Sequence, residues 1–135
     1  MTTFTRAASA FTVKEGPDAT KNDFEVSTTG AVKLPVAAVA AAGSGQGDAA
    51  ALSFGINVVS AADGTKGVIL PVAEAGAIVI IKNTASAILK IYPATGGAIN
   101  AVAANGAFST TANPVPLVLF ATSATQWYTL PLVPT

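Results

Sequence analysis

The side chains that could carry out catalysis are few in this chain, and they form no catalytic motif. The sequence contains neither histidine nor cysteine, which removes the commonest general base, the commonest metal ligand and every thiol nucleophile. A serine nucleophile would therefore need a lysine or a carboxylate as its base. The serines from residue 52 onward lie in predicted strands or turns without a surrounding motif: Ser53, Ser60, Ser86, Ser109 and Ser123.

The carboxylates of the same region do not form a recognisable catalytic or metal-binding motif either. Two of Asp48, Asp63 and Glu74 could in principle hydrolyse a glycoside, but Asp63 is better explained by the turn sequence DGTKG at 63–67. Asp48 and Asp63 do not have the spacing of a calcium loop; a metal shared between subunits through oxygen ligands stays an open alternative. The stretch GSGQG at 43–47 lacks the lysine and hydroxyl residue that end a phosphate-binding loop. We predict no catalytic, cofactor-binding or metal-binding residue, and no enzyme activity.

Charged residues are scarce and unevenly distributed. Seven basic residues balance seven acidic ones, and together they make up 10% of the 135 residues, against about 25% in an ordinary domain. Such a chain has no field to attract a nucleic acid or an anionic membrane. No charged residue follows Lys90, although a separate soluble domain normally carries surface charge. This pattern predicts a surface that is covered in an assembly; the alternative is a tight β domain whose outer face carries threonine, serine and asparagine.

Apolar stretches in the chain are too short to cross a membrane. The longest, such as residues 36–42 and 77–81, fall far below the ~20 residues that a spanning helix needs. The first six residues, MTTFTR, lack the apolar core of a signal peptide. We therefore predict no membrane partner and no signal peptide.

The composition divides the chain into three regions. Residues 1–35 are polar and hold eight of the fourteen charged residues, and we predict an extended N-terminal arm or anchor segment with strand-like runs at 11–13 and 24–28. Residues 36–51 are rich in alanine and glycine, which predicts a linker. Within that region, one or two helical turns over residues 36–42 are an equally good alternative to an extended chain.

Residues 52–135 form the third region, and their pattern predicts regular β structure. The β-branched run at 78–81 is typical of a strand that is buried on both faces. Trp127 and Tyr128 are neighbours on a predicted strand, so one should enter the core and the other should lie outward or in an interface; a sugar-binding platform is the alternative role. Short strands every 8 to 12 residues or so predict an all-β fold, a small antiparallel β-sandwich or barrel that serves as an oligomerisation domain.

Four stretches of the β region carry a resemblance to a known family. They read DGTKGVILP at 63–71, VIIKN at 79–83, LKIYPATGGAIN at 89–100 and ATSATQWYTL at 121–130. These sequence segments resemble those of a family of small structural proteins of tailed-bacteriophage virions, of the capsid decoration (cement) or head-fibre type. The resemblance covers residues 53–131 and leaves residues 1–35 outside. It implies small β domains, often trimeric, fixed on a shell of major capsid protein, with no catalytic residues to transfer.

The expected function combines this resemblance with the scarcity of charge. We expect a non-enzymatic virion protein, a capsid decoration protein that binds the major capsid protein shell as a homotrimer, without a cofactor and without a nucleic-acid or membrane partner. It would be made in the host cytoplasm and lie on the capsid surface. The alternatives are a receptor- or glycan-binding module of a head or tail fibre, a tail structural piece, and an accessory domain of a secreted enzyme, which the missing signal peptide disfavours.

Overall fold

The chain divides into two compact units, with the division after Pro35. A computed structural model describes residues 11–13, 24–112 and 115–130. In the first unit, strands β1 (Phe11–Val13), β2 (Phe24–Val26) and β3 (Val32–Lys33) form an antiparallel sheet in the order β1-β2-β3. The strand-like run at 11–13 is confirmed as β1, and the run at 24–28 is confirmed as β2 except that the strand ends at Val26. The role of this unit as an arm or anchor stays a prediction.

The second unit, residues 36–135, is built from short strands. Its described part contains β4 (Val36–Ala40), β5 (Ala50–Ala51), β6 (Gly55–Ser60), β7 (Gly67–Ile69), β8 (Ile78–Asn83), β9 (Lys90–Tyr92), β10 (Ala98–Ile99), β11 (Phe108–Ser109), β12 (Leu117–Ala121) and β13 (Gln126–Leu130). They form a six-stranded sheet in the order β10-β13-β12-β8-β6-β4 and a four-stranded sheet in the order β11-β9-β7-β5. The all-β fold class predicted from the sequence is confirmed.

Both sheets of the second unit are mixed, which corrects the prediction of antiparallel sheets. From β4 to β9 the chain alternates between the two sheets, and it re-enters each sheet in the same direction. As a result β4, β6 and β8 are parallel neighbours, and so are β5, β7 and β9. The turn at 63–67, a hairpin signal by its residues, joins β6 of one sheet to β7 of the other. Only β8, β12 and β13 pair antiparallel within the six-stranded sheet as described.

Residues 36–51 belong to the second unit, and the prediction of a linker or a short helix there is wrong. β4 pairs with β6 over five residues, from Val36 opposite Ile56 to Ala40 opposite Ser60. Alternate residues of β4 are exposed and half-buried, as in a strand with one side toward a core. A segment of alanine and valine is compatible with a strand as well as with a linker, so composition alone does not distinguish the two structures.

The glycine-rich loop that follows β4 is folded around Asp48. The Asp48 carboxylate accepts hydrogen bonds from the amides of Ser44 at 3.0 Å and Gly45 at 2.8 Å. Gly43 has a φ of 69°, and a Cβ atom at that position would collide with the backbone oxygen of Asp48. The loop therefore depends on glycine for its conformation and its packing.

Inward side chains of both sheets form one hydrophobic core. The members with no exposed surface are Val59, Val68, Val79, Leu89, Ile91, Ile99, Leu119 and Trp127. Trp127 therefore lies in the core, while its neighbour Tyr128 is exposed on the other side of β13. The opposite orientation predicted for these two aromatic residues is confirmed.

Candidate interaction surface

The outward side of the six-stranded sheet carries an aligned row of aliphatic side chains. Val36 pairs with Ile56, and Ile56 pairs with Ile80. Ile80 in turn pairs with Val118, and Val118 pairs with Leu130. All five lie on the face opposite the more buried residues of their strands, because side chains alternate between the two faces of a sheet. An unbroken aliphatic row thus crosses five neighbouring strands.

Two further rows flank this one. On one side Ile78 pairs with Phe120, and Phe120 pairs with Tyr128. The two rings lie with their centroids 5.9 Å apart and their planes tilted by 31°, within the range of favourable aromatic pairs. On the other side Ala38 and Val58 align with Lys82 at the end of β8.

We call the outward side chains of β4, β6, β8, β12 and β13 the apolar face. Its members are Val36, Ala38, Ala40, Ile56, Val58, Ser60, Ile78, Ile80, Lys82, Val118, Phe120, Gln126, Tyr128 and Leu130. Within these five strands Lys82 is the one charged residue pointing outward. Val36 is 66% exposed, Leu130 54%, Ile78 47% and Tyr128 37%. Contiguous apolar patches on a protein surface often mark interaction sites.

The outward side of the four-stranded sheet is packed by the chain itself. Tyr92 points away from the core on β9, yet it is only 8% exposed. Its hydroxyl donates a hydrogen bond to the carbonyl of Ser44 at 3.3 Å, and a Cβ atom on Gly67 would lie 2.7 Å from its ring. The side-chain amide of Gln46 donates to the carbonyl of Pro93 at 2.8 Å and anchors the same loop. The two sheets therefore differ in that only the larger one presents an open apolar side.

The residues considered for chemistry are not brought together. Asp48 lies in the loop before β5, Asp63 in the turn before β7 and Glu74 in the segment before β8. Across residues 11–13, 24–112 and 115–130, no group of three or more acidic side chains is placed to hold a metal ion. In the same part of the chain, every buried side-chain nitrogen and oxygen has a hydrogen-bond partner. Asn57, for example, is fully buried and bonds to the backbone of Ser53 in both directions, at 3.1 and 2.8 Å.

Both aspartates of this unit serve loop structure. Asp63 accepts hydrogen bonds from the Thr65 hydroxyl at 2.7 Å and from the amides of Thr65 and Lys66 at 2.9 and 3.0 Å. The Thr65 hydroxyl and these amides hold the pKa of Asp63 well below its ordinary value. The Gly45 amide, followed by that of Ser44, likewise lowers the pKa of Asp48. Carboxylates that are kept ionised in this way are poor general acids.

Replacing Asp63 by asparagine is expected to remove part of the acid sensitivity of folding. Because the folded-state pKa of Asp63 lies below the ordinary value of 3.8, its stabilisation is complete above about pH 4 and is lost as the pH falls further. The difference in urea midpoint between the wild-type protein and Asp63→Asn should therefore be largest at neutral pH and shrink in acid. Thr65→Val, which removes one donor, should reproduce part of this change. A difference that stays constant in acid would mean that the charge of Asp63 does not stabilise the turn.

The β-branched run at 78–81 is the signal in the sequence that relates to the apolar face. This run was expected to be buried on both sides. In the structure Val79 and Ile81 are buried in the core, whereas Ile78 is 47% exposed and Ile80 is half-buried on the apolar face. The second hydrophobic side of β8 thus faces outward in the single chain.

Comparisons with known proteins add no relative. No family model, no curated protein and no solved structure matches this chain. In the part of the chain that the structure describes, no helix is both long and apolar enough to cross a membrane. The resemblance to bacteriophage virion proteins therefore depends on the residues quoted for it.

Proposed function

We propose that this chain is a non-enzymatic structural protein of a bacteriophage virion, a capsid decoration protein that binds the major capsid protein shell as a homotrimer. The observation that carries this proposal is the apolar face, an open hydrophobic surface five strands wide on a chain with few charges. A surface of this kind is suited to permanent assembly, since obligate interfaces are more hydrophobic than transient ones. The protein would lie on the capsid surface after synthesis in the host cytoplasm.

The arrangement of the second unit favours a sandwich over a barrel. Both sheets contribute inward side chains to one core, and the described sheets end in edge strands, β4 and β10 in one and β5 and β11 in the other. A closed barrel has no such edges. A small domain of two packed sheets is the architecture that the family resemblance implies.

The distribution of charge supports separate roles for the two units. Residues 1–35 hold eight of the fourteen charged residues, whereas residues 91–135 hold none. Polar contacts to the shell are therefore available to the N-terminal unit, and hydrophobic contacts between copies are available to the second unit. In this arrangement the first unit acts as the arm or anchor.

Binding to capsid shells tests this function directly. Shells assembled from the major capsid protein of the same virus, in the absence of this chain, should bind the purified protein until a fixed lattice stoichiometry is reached. Electron microscopy of the decorated shells should locate it on the outer surface. Residues 36–135 without the N-terminal unit should form the same oligomer but bind shells weakly. A full-length protein that does not bind, or that binds without saturation, would contradict the decoration role.

Recognition of a glycan or receptor by a fibre module is the alternative function, and one observation favours it. Tyr128 is 37% exposed and lies beside the ring of Phe120 on the apolar face, and exposed aromatic rings stack on sugars. Tyr128→Ala should then abolish glycan binding while leaving shell binding intact. A decoration protein should show no glycan binding before or after this change.

A further inference from the structure

The apolar face leaves hydrophobic surface open for contact with another subunit. Aromatic side chains contribute about 150–250 Å² when free, and aliphatic ones somewhat less. The exposed fractions of Val36, Ile78, Tyr128 and Leu130 therefore leave on the order of 350 Å² open. The partly buried side chains between them add to this area, and one partner of a stable interface contributes ~800 Å².

Three copies can place their apolar faces toward one axis. Strands in a sheet are about 4.8 Å apart, so β4 and β13 lie about 19 Å from each other across the five strands. Arranged as the sides of a triangular prism, three such faces would meet along their edge strands, with β4 of one copy beside β13 of the next.

The order of side chains across the face also suits this arrangement. β8 is the middle strand of the five, and it would place Ile78 and Ile80 nearest to the axis. Val36 and Leu130 lie in the same row at the two edges of the face, so they would meet at the same height between neighbouring copies. Lys82 lies one row beyond Ile80, near the end of β8, and its long aliphatic stem can contribute to the apolar face.

We infer that three copies of this chain assemble through the apolar face around a threefold axis, with β8 of each copy at the centre. The inference rests on the proposed function, which includes a homotrimer, and it identifies the surface that forms it. The apolar face of each copy then contacts the other two copies of the chain. In the assembled state β8 is buried on both sides, which agrees with the β-branched composition of residues 78–81.

Lysine substitutions with a matched control test the surface. Ile78→Lys and Val36→Lys each place three charges at the interface without removing a core side chain, because Ile78 is 47% and Val36 66% exposed in the single chain. Val72→Lys is the control: Val72 is equally exposed, at 67%, and lies between β7 and β8 outside the apolar face. Light scattering coupled to size exclusion should give a trimer of the 13.3 kDa chain for the wild type and for Val72→Lys, and a monomer for both face variants. Circular dichroism would verify that the monomers remain folded.

Single cysteines provide a second measurement that does not depend on disrupting the assembly. The chain has no cysteine, so Ile78→Cys and Val72→Cys each introduce one thiol. At a concentration where the protein is assembled, a maleimide should label Val72→Cys readily and Ile78→Cys poorly, and dilution to monomers should restore the labelling of Ile78→Cys.

The outcomes separate this inference from the proposed function. A wild-type trimer whose mass survives both face substitutions, with Ile78→Cys fully labelled, would overturn the inference and leave the trimer standing. A wild-type protein that is a monomer at micromolar concentration would overturn the trimer itself. A wild-type dimer that the face variants dissociate would overturn the threefold arrangement.

Discussion

Trp127→Ala should lower the free energy of unfolding by about 3–5 kcal/mol, the usual cost of deleting a large aromatic side chain from a core. The ring has no exposed surface, and it packs in the core shared by the two sheets. Its strand, β13, pairs with both β10 and β12. The cavity left by the deleted ring would therefore lie beneath a strand that is paired on both sides. In a domain of about 100 residues, each kcal/mol corresponds to about 4–8 °C in melting temperature. A thermal melt should therefore show a clear decrease in the melting temperature of this variant.

Two further variants control for this result. Trp127→Phe retains an aromatic ring and should cost clearly less than the alanine variant. Phe54→Ala removes a ring that is 39% exposed and lies outside the apolar face, so its melting temperature should fall less than that of Trp127→Ala. An unchanged melt for Trp127→Ala would contradict the burial of the ring and would make glycan binding the leading function.

Asn100→Ala is expected to cost about 2–4 kcal/mol, for two reasons that add. Asn100 has a φ of 52°, in the left-handed region that disfavours alanine. Its side chain also accepts a hydrogen bond from the Thr129 amide at 3.0 Å and donates one to the Thr129 hydroxyl at 2.9 Å. Thr129 is only 1% exposed, so water would not readily replace the lost partner. Urea unfolding at neutral pH measures the loss.

Asn105 offers a matched control, since it shares the backbone conformation without the burial. Its φ is 65°, and on the protein surface its side-chain oxygen accepts hydrogen bonds from the Gly96 amide at 2.7 Å and from the Gln46 side-chain amide at 3.3 Å. Asn105→Ala should therefore cost little more than the backbone penalty. Asn100→Gly removes that penalty while still losing the hydrogen bonds, and should fall between the wild type and Asn100→Ala. Equal losses for Asn100→Ala and Asn105→Ala would mean that the bonds to Thr129 contribute nothing.

Local patterns were sufficient to locate much of the β structure. The sequence pattern predicted a strand that contains Trp127 and Tyr128, and it placed the two rings on opposite faces of that strand. The turn signal at 63–67 also marked a real turn, in which Asp63 bonds to Thr65 and Lys66. These features depend on residues a few positions apart, and such short-range preferences can be evaluated from the chain alone.

Local sequence patterns did not predict which strands pair with each other. A strand with period two specifies which of its own side chains share a face, but it carries no information about which strand lies beside it. The sequence therefore did not distinguish a hairpin at 63–67 from a connection between two sheets, and antiparallel pairing was expected where parallel pairing occurs. The alanine-rich residues 36–40 became a strand because β6 supplies a parallel edge for them.

The sequence by itself determined that this protein is a β protein with few charges, in which no histidine or cysteine is available for chemistry. Those properties follow from residue types and short-range spacing. Only the tertiary structure decided that the second hydrophobic side of β8 joins those of β4, β6, β12 and β13 in one apolar face. The register between strands aligns Val36, Ile80 and Leu130 across about 90 residues of chain, because backbone hydrogen bonds and a shared core select the pairing, and both form only when distant segments meet.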